Sequence, residues 1–154
     1  AAPMPSEAAS VDSNVITVSE TGGAGAYQNR VQIGGRAFLA DEPESVGGAN
    51  TGPNPYEWVT AGLGACTSMT LRMYANRKKW PLEKVTVDLT HSRQHHQDCE
   101  TCGPNDKIDV FTREIKVEGP LDEDQKQRLL EIADRCPVHR TLENEVVVET
   151  SLVT

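Results

Sequence analysis

The sequence predicts a single α+β domain over residues 14–154, built from an antiparallel sheet, a long central helix and a second helix. Short β-branched or alternating stretches flank one long segment with helix signals and are typical of antiparallel strands. A later segment has the apolar spacing of a second amphipathic helix. Residues 1–13 are rich in Ala, Pro and Ser and predict a flexible tail.

The composition narrows the classes of function. The chain has 23 acidic and 15 basic residues and a net charge of −8. Such a charge repels phosphate backbones and anionic lipids, so we expect neither a nucleic acid nor a membrane as partner. We expect a cytoplasmic protein, because the sequence lacks a long apolar run and the start of a secretory signal. With only 37% hydrophobic residues, the core is lean, which favours an oligomer in which a partner subunit supplies the missing burial.

The first third predicts a meander of short antiparallel strands. Residues 15–18 are a β-branched run that ends in the Gly-rich turn at residues 22–25. Val31 and Ile33 alternate with polar residues before Gly34 and Gly35, and the extended pattern resumes over residues 36–39. Residues 41–53 contain Gly and Pro and predict a loop.

The most informative segment is the long helix. Asn54 is an N-cap, Pro55 suits the first helical position and Glu57 occupies the capping-box position. The helix is predicted to run to about Lys79, ahead of a Trp-Pro pair. Two interior glycines cost about 1 kcal/mol each relative to Ala, which indicates close packing against another backbone.

The second half predicts two more strands, a helix and a last strand. The strand at residues 85–89 buries one face, a polar loop covers residues 92–106, and a second strand covers residues 108–117. Asp122 begins a second helix with Gln125 in the capping-box position. Residues 146–148 are three valines and predict a final strand.

Cys66 and Cys136 each lie on the apolar face of a predicted helix. They are either small core residues or a thiol pair within disulfide reach. Burial raises a thiol's pKa, so Cys66 needs a nearby cation, for which Arg30 and Arg36 are the candidates in the N-terminal strands. Cys136 is predicted in the last turn of its helix, where the dipole disfavours a thiolate. Cys66 is therefore the expected nucleophile and Cys136 the resolving thiol.

Two segments resemble the signature regions of the OsmC/Ohr family: GPNPYEWVTAGLGACTSMTLRMYA at residues 52–75 and DRCPVHRTLENEV at residues 134–146. The resemblance extends from about residue 14 to the C-terminus. It implies the OsmC-like fold, an intertwined homodimer with the cysteine helices at its centre. It also implies a thiol-dependent peroxidase that reduces organic hydroperoxides, with hydrogen peroxide as an additional substrate. A sulfenic acid and disulfide cycle of this kind needs no cofactor, only an external dithiol reductant.

By this resemblance, Cys66 matches the peroxidatic cysteine of the family and Cys136 the resolving one. Glu57 matches the helix-start glutamate that positions an arginine over the thiolate. In the Ohr branch that acid directly follows the proline, so Glu57 is displaced by about 100° around the helix. A simple N-terminal cap is an equal interpretation. The Gly-rich turn that carries the arginine in Ohr proteins has none here, which leaves Arg36 as the candidate.

The remaining motif is HSRQHHQDCETC, at residues 91–102. It offers weak candidates for zinc ligands: His95, His96, Cys99 and Cys102. Alternatives are a second redox-active or disulfide-forming pair, or an ordinary polar loop. His139 either belongs to the site near Cys136 or bonds to carbonyls at the helix end. A competing function is therefore an OsmC-fold protein with little peroxidase activity that binds metal or a small molecule, or responds to redox state, through this loop.

Overall fold

The computed structural model describes residues 15–95 and 107–153, except for the side chain of His95. The predicted flexible tail, residues 1–13, lies outside the described residues. The chain forms two compact units, residues 1–58 and residues 59–154. The described helices include none long and apolar enough to cross a membrane.

The first unit contains the predicted meander. Strands β1 (Ile16–Glu20), β2 (Asn29–Ile33) and β3 (Arg36–Ala40) form an antiparallel sheet in the order β1-β2-β3. Val31, the buried residue of the central strand, pairs with one apolar residue on each neighbouring strand. The β1–β2 turn relies on Gly22, whose φ of 67° is costly for residues with a Cβ.

The loop after β3 is held by a buried carboxylate. Asp41 is 2% exposed and accepts hydrogen bonds from the backbone N–H of Glu42 at 2.8 Å and of Thr51 at 3.1 Å. The Thr51 hydroxyl donates a third bond at 2.6 Å. These donors, the hydroxyl foremost, lower the pKa of Asp41 despite its burial. The loop therefore closes onto the residue that ends the sheet, ahead of the long helix.

Helix α1 spans Pro55–Lys78 and begins with the predicted capping box. Asn54 N–H donates to the Glu57 carboxylate at 2.9 Å, and Glu57 N–H donates to the Asn54 side chain at 2.8 Å. The helix ends one residue earlier than predicted, because Lys79 adopts a left-handed φ of 58°. Trp80 N–H then bonds to the Ala75 carbonyl at 2.9 Å, as in a Schellman motif.

The second unit packs an antiparallel hairpin and two helices against the rest of α1. Strand β4 covers Lys84–His95 and β5 covers Lys107–Glu118. The predicted loop at residues 92–106 is wrong at its start, because the hairpin ladder continues through residues 92–95. The apolar core of this unit consists of seven buried residues: Leu71, Ala75, Leu82, Leu121, Leu129, Ile132 and Ala133.

Helix α2 (Glu123–Ala133) begins with the predicted capping box between Asp122 and Gln125. It ends three residues before Cys136, and a third helix, α3 (Pro137–Leu142), follows. The prediction of Cys136 in the last turn of α2 was therefore wrong. Proline, which has no N–H, ends one helix but suits the first position of the next. Cys136 is the N-cap residue of α3.

The predicted final strand at residues 146–148 was also wrong. These three valines belong to no helix or strand, and each is exposed. Among the described residues, strand pairing is limited to β1 with β2, β2 with β3, and β4 with β5. A β-branched run favours extended backbone, but a strand also requires a neighbour for its hydrogen bonds.

Candidate functional site

The two cysteines of the second unit lie together. Cys66 is in the middle of α1 and partly exposed, whereas Cys136 has no exposed surface. Both are free thiols, and they lie close enough that each changes the pKa of the other. Neighbouring thiols of this kind are candidates for a disulfide.

Cys136 occupies this position because of the turn between α2 and α3. Its N–H donates to the carbonyl of Ala133 at 3.2 Å, and its own carbonyl accepts from Arg140 at 3.1 Å. These bonds hold the residue between the end of one helix and the first turn of the next. The cysteine side chain is thereby directed into the buried interior, towards α1.

The two sulfurs differ in their affinity for a proton. Burial raises the pKa of Cys66, and the contact with Cys136 raises it further. Burial also opposes ionisation of Cys136. Hydrogen bonds from the Cys66 thiol, the His139 N–H and the Thr67 hydroxyl outweigh that effect and lower its pKa. The pKa of Cys66 is thus raised and that of Cys136 lowered by their surroundings and by each other.

Thr67 joins this pair to the hairpin. It follows Cys66 in α1 and has no exposed surface. Its hydroxyl donates to the Leu63 carbonyl at 2.7 Å, and its presence lowers the pKa of Cys136. The same oxygen accepts a hydrogen bond from Nη1 of Arg113 at 3.0 Å.

Arg113 is a residue of the site that the sequence reasoning missed. Its guanidinium also donates to the Ala133 carbonyl at 3.1 Å, to Asp134 at 3.2 Å and to Nδ1 of His139 at 2.7 Å. The sequence of β5 could have indicated this role, because Arg113 alternates with the apolar residues Ile115 and Val117 and so lies on the same face of the strand. A single arginine on the buried face of a strand indicates a specific partner.

The approach of Arg113 to α1 depends on a glycine. Leu89 and Arg113 are directly opposed in the β4–β5 ladder, so their side chains share one face of the hairpin. A Cβ on Gly64 would lie 2.6 Å from Cδ1 of Leu89. Gly64 therefore allows this face to come close enough for Arg113 to reach Thr67, one turn further along the helix.

His139 belongs to the same network. Its Nδ1 accepts from Arg113, so the ring proton is on Nε2, which donates to Glu143 at 2.6 Å. One of the two sequence interpretations, in which the His139 side chain bonds to helix-end carbonyls, is therefore wrong. The neutral ring links Arg113 to the end of α3.

The other predicted helpers, Glu57 and Arg36, belong to the first unit, whereas both cysteines belong to the second. Glu57 forms the N-terminal cap of α1, and Arg36 is an exposed residue at the start of β3. A role for either residue at the thiol stays a prediction.

Most of the predicted zinc candidates lie outside the described residues, namely His96, Cys99 and Cys102. The backbone of His95 ends β4. Of the neighbouring residues that are described, His91 bonds to Asp109 at 2.8 Å. Within residues 15–95 and 107–153 no cluster of three or more His, Cys, Asp or Glu side chains is arranged to hold a metal. The three interpretations of this loop stay predictions.

Comparison with known proteins identifies the family. The family model described as OsmC-like protein matches residues 47–151, which include both cysteines. The chain therefore belongs to the OsmC/Ohr family, as its two signature segments predicted. A search of curated proteins found no match.

Solved structures agree with this assignment at the level of the fold. An osmotic stress induced and detoxification response protein from Psychrobacter arcticus is 14% identical, with a TM-score of 0.65 over 82% of this chain and 85% of that one. The organic hydroperoxide resistance protein OsmC from Legionella pneumophila is 20% identical, with a TM-score of 0.59 over 83% and 88%. OhrB of Bacillus subtilis, also an organic hydroperoxide resistance protein, is 20% identical, with a TM-score of 0.57 over 82% and 89%. These likenesses confirm the predicted α+β, OsmC-like fold.

Proposed function

We propose that the chain is a thiol-dependent peroxidase that reduces organic hydroperoxides, and hydrogen peroxide as an additional substrate, through Cys66 and Cys136. The observation that carries the proposal is a pair of neighbouring free thiols that change each other's pKa, one partly exposed and one buried. Two solved relatives are named organic hydroperoxide resistance proteins, which supports the same substrate class.

Access to solvent favours Cys66 as the attacking thiol. A peroxide can reach a partly exposed sulfur, whereas Cys136 has no exposed surface. Attack requires Cys66 as a thiolate, so its thiol first gives up its proton, for which the neighbouring Cys136 sulfur is an acceptor. The Cys66 thiolate then attacks the terminal oxygen of the peroxide and the O–O bond breaks. The alcohol leaves with a proton, and Cys66 becomes a sulfenic acid.

Cys136 completes the cycle. As a thiolate it attacks the Cys66 sulfur, an S–S bond forms and hydroxide leaves as water after protonation. The sum is one peroxide and two thiols converted to one alcohol, one water and one disulfide. An external dithiol then reduces the disulfide, and no other cofactor takes part. The hydrogen bonds that favour the Cys136 anion favour this second step.

Serine variants of the two cysteines test the roles. With a dithiol present, we expect Cys66→Ser to consume no peroxide. Without dithiol, Cys136→Ser should consume about one equivalent and leave a Cys66 sulfenic acid that a dimedone probe labels. A Cys99→Ser/Cys102→Ser double variant serves as the matched control and should keep the wild-type rate. Peroxide consumption by Cys66→Ser with none by Cys136→Ser would reverse the roles, and full activity in both would refute the proposal.

We also propose that the chain acts as a homodimer whose interface includes the Cys66 face of α1. Gly62, Cys66, Met69 and Met73 follow one another along one face of the helix, and both methionines are exposed. A Cβ on Gly62 would meet no described atom within 4 Å, which leaves room for a partner helix. Apolar residues of the C-terminal segment are also exposed: Val147, Val148, Leu152 and Val153.

Light scattering tests the dimer. We expect twice the chain mass of 16.8 kDa for the wild type and a shift towards the single-chain mass for Met69→Glu. Leu130→Glu changes an equally apolar, exposed residue on α2 and is the matched control, so it should leave the mass unchanged. A wild-type mass of one chain would refute the dimer.

A cycle that ends in reduction by a dithiol needs a reducing compartment, and we propose the cytoplasm. The net charge of −8 supports a small hydroperoxide and a dithiol as partners, rather than a nucleic acid or a membrane.

A further inference from the structure

Arg113 brings a positive charge to the buried side of the cysteine pair. Its side chain is 11% exposed, and its guanidinium is held from four directions: by α1 through Thr67, by the end of α2 through Ala133 and Asp134, and by α3 through His139. This number of fixed contacts leaves the guanidinium little freedom to turn away.

The charge of Arg113 is only weakly balanced on that side. Among the described residues, Asp134 and His139 bond to Arg113, Glu143 bonds to His139, and Cys66 lies next to Cys136. The Asp134 and Glu143 side chains are 71% and 70% exposed, so water screens both carboxylates. His139 accepts from the guanidinium through Nδ1 and is therefore neutral in this arrangement.

Thr67 lies between this cation and the sulfur of Cys136. A hydroxyl has one proton to donate and two lone pairs. Arg113 occupies one lone pair, so the Thr67 oxygen is a poorer acceptor for the Cys136 S–H and a stronger donor. Its proton is donated to the Leu63 carbonyl. Cys136 is the neighbouring alternative, because the Arg113 nitrogen that bonds to Thr67 also bonds to the Ala133 carbonyl, which accepts the Cys136 N–H. An anionic sulfur is a better acceptor than a carbonyl.

We propose that Arg113 is a positioning residue that acts through the Thr67 hydroxyl to hold the Cys136 sulfur as a thiolate. In this relay the guanidinium fixes and polarises the hydroxyl, which turns its proton from the Leu63 carbonyl to the sulfur when Cys136 ionises. The inference deepens the proposed function and rests on it for its purpose, since an ionised Cys136 is what resolves a Cys66 sulfenic acid. The lowered pKa of Cys136 agrees with the relay.

The test measures the ionisation of Cys136 without any peroxide. In a background of Cys66→Ser, Cys99→Ser and Cys102→Ser, Cys136 is the only thiol, and thiolate absorbance against pH reports its titration. Serine keeps a hydrogen-bond donor at the place of Cys66. Because this readout is independent of turnover, a protein without peroxidase activity can still support or refute the relay.

Thr67→Val removes the hydroxyl at nearly constant volume, and we expect the titration midpoint to rise by about one pH unit. Thr67→Ser keeps the hydroxyl and is the matched control, with the midpoint unchanged. Circular dichroism confirms that each variant is folded. A midpoint in Thr67→Val equal to that in Thr67→Ser would overturn the proposal.

A double-mutant cycle then separates a relay from a direct effect of the charge. Arg113→Met should raise the midpoint by a similar amount in the presence of Thr67, and by much less in the Thr67→Val protein. If the two shifts simply add, Arg113 does not act through Thr67 and the relay is wrong.

Discussion

Oxidation of Cys66 and Cys136 to a disulfide is expected to stabilise the folded chain. The bond would close a loop of about 70 residues, for which the loss of chain entropy in the unfolded state corresponds to about 4 kcal/mol. Any strain that the bond introduces into the native state reduces this gain. Because the two thiols are near enough to change each other's pKa, we expect most of the gain to remain, about 2 to 4 kcal/mol.

Urea unfolding measures this difference. Trp80 packs edge to face on Tyr74, with ring centroids 5.4 Å apart, and both pack against the core of the second unit, so tryptophan fluorescence follows its unfolding. The midpoint of the oxidised protein should exceed that of the reduced protein by about 1 to 2 M urea. Both samples are compared at one protein concentration, because the unfolding of a dimer depends on concentration.

The control for this experiment is Cys66→Ser, treated with the same oxidant, which should show no change of midpoint. An oxidised wild-type protein that unfolds at the same or lower urea concentration would contradict the geometry of the pair. It would mean that joining the two sulfurs distorts the helices around them by as much as the cross-link stabilises the chain.

Two further predictions concern the fold around the site. Asp122→Ala removes the acceptor that caps α2 and should lower the free energy of unfolding by about 1 kcal/mol. Asp122→Asn keeps an acceptor and should lower it by only a few tenths of a kcal/mol; urea titrations measure both changes. The lowered pKa of Asp41 means that its contribution to stability is complete above the ordinary carboxyl value of about 4 and is lost as the pH falls through the folded value. The wild type should therefore exceed Asp41→Asn in stability at pH 7, with the difference narrowing on acidification; a difference independent of pH between 3 and 7 would contradict this reading.

The parts of the fold that local signals determine could be predicted from the sequence. The capping boxes at Asn54 and Asp122 place both helix starts, because cap and partner lie three residues apart in the chain. The alternation of residues 85–89 likewise predicts a strand with one buried face. Close packing at Gly64 was also expected from the sequence, although the neighbour is the side chain of Leu89 rather than a backbone.

The parts of the fold and of the site that depend on distant residues could not be predicted from the sequence. Arg113 bonds to residues 20, 21, 26 and 46 positions away, so its role follows from the packing of β5 against three helices. The end of α2 was misplaced because Pro137 is equally suited to ending one helix and beginning another. The valines at 146–148 show that β propensity without a neighbouring strand does not define a strand.

The pairing of Cys66 with Cys136 is tested most directly by intact mass after addition of a slight excess of an organic hydroperoxide. The account predicts the loss of two hydrogens per chain, and peptide mapping should locate the new disulfide between Cys66 and Cys136. A disulfide between Cys99 and Cys102, or reduced cysteines after the peroxide has been consumed, would contradict the proposed site.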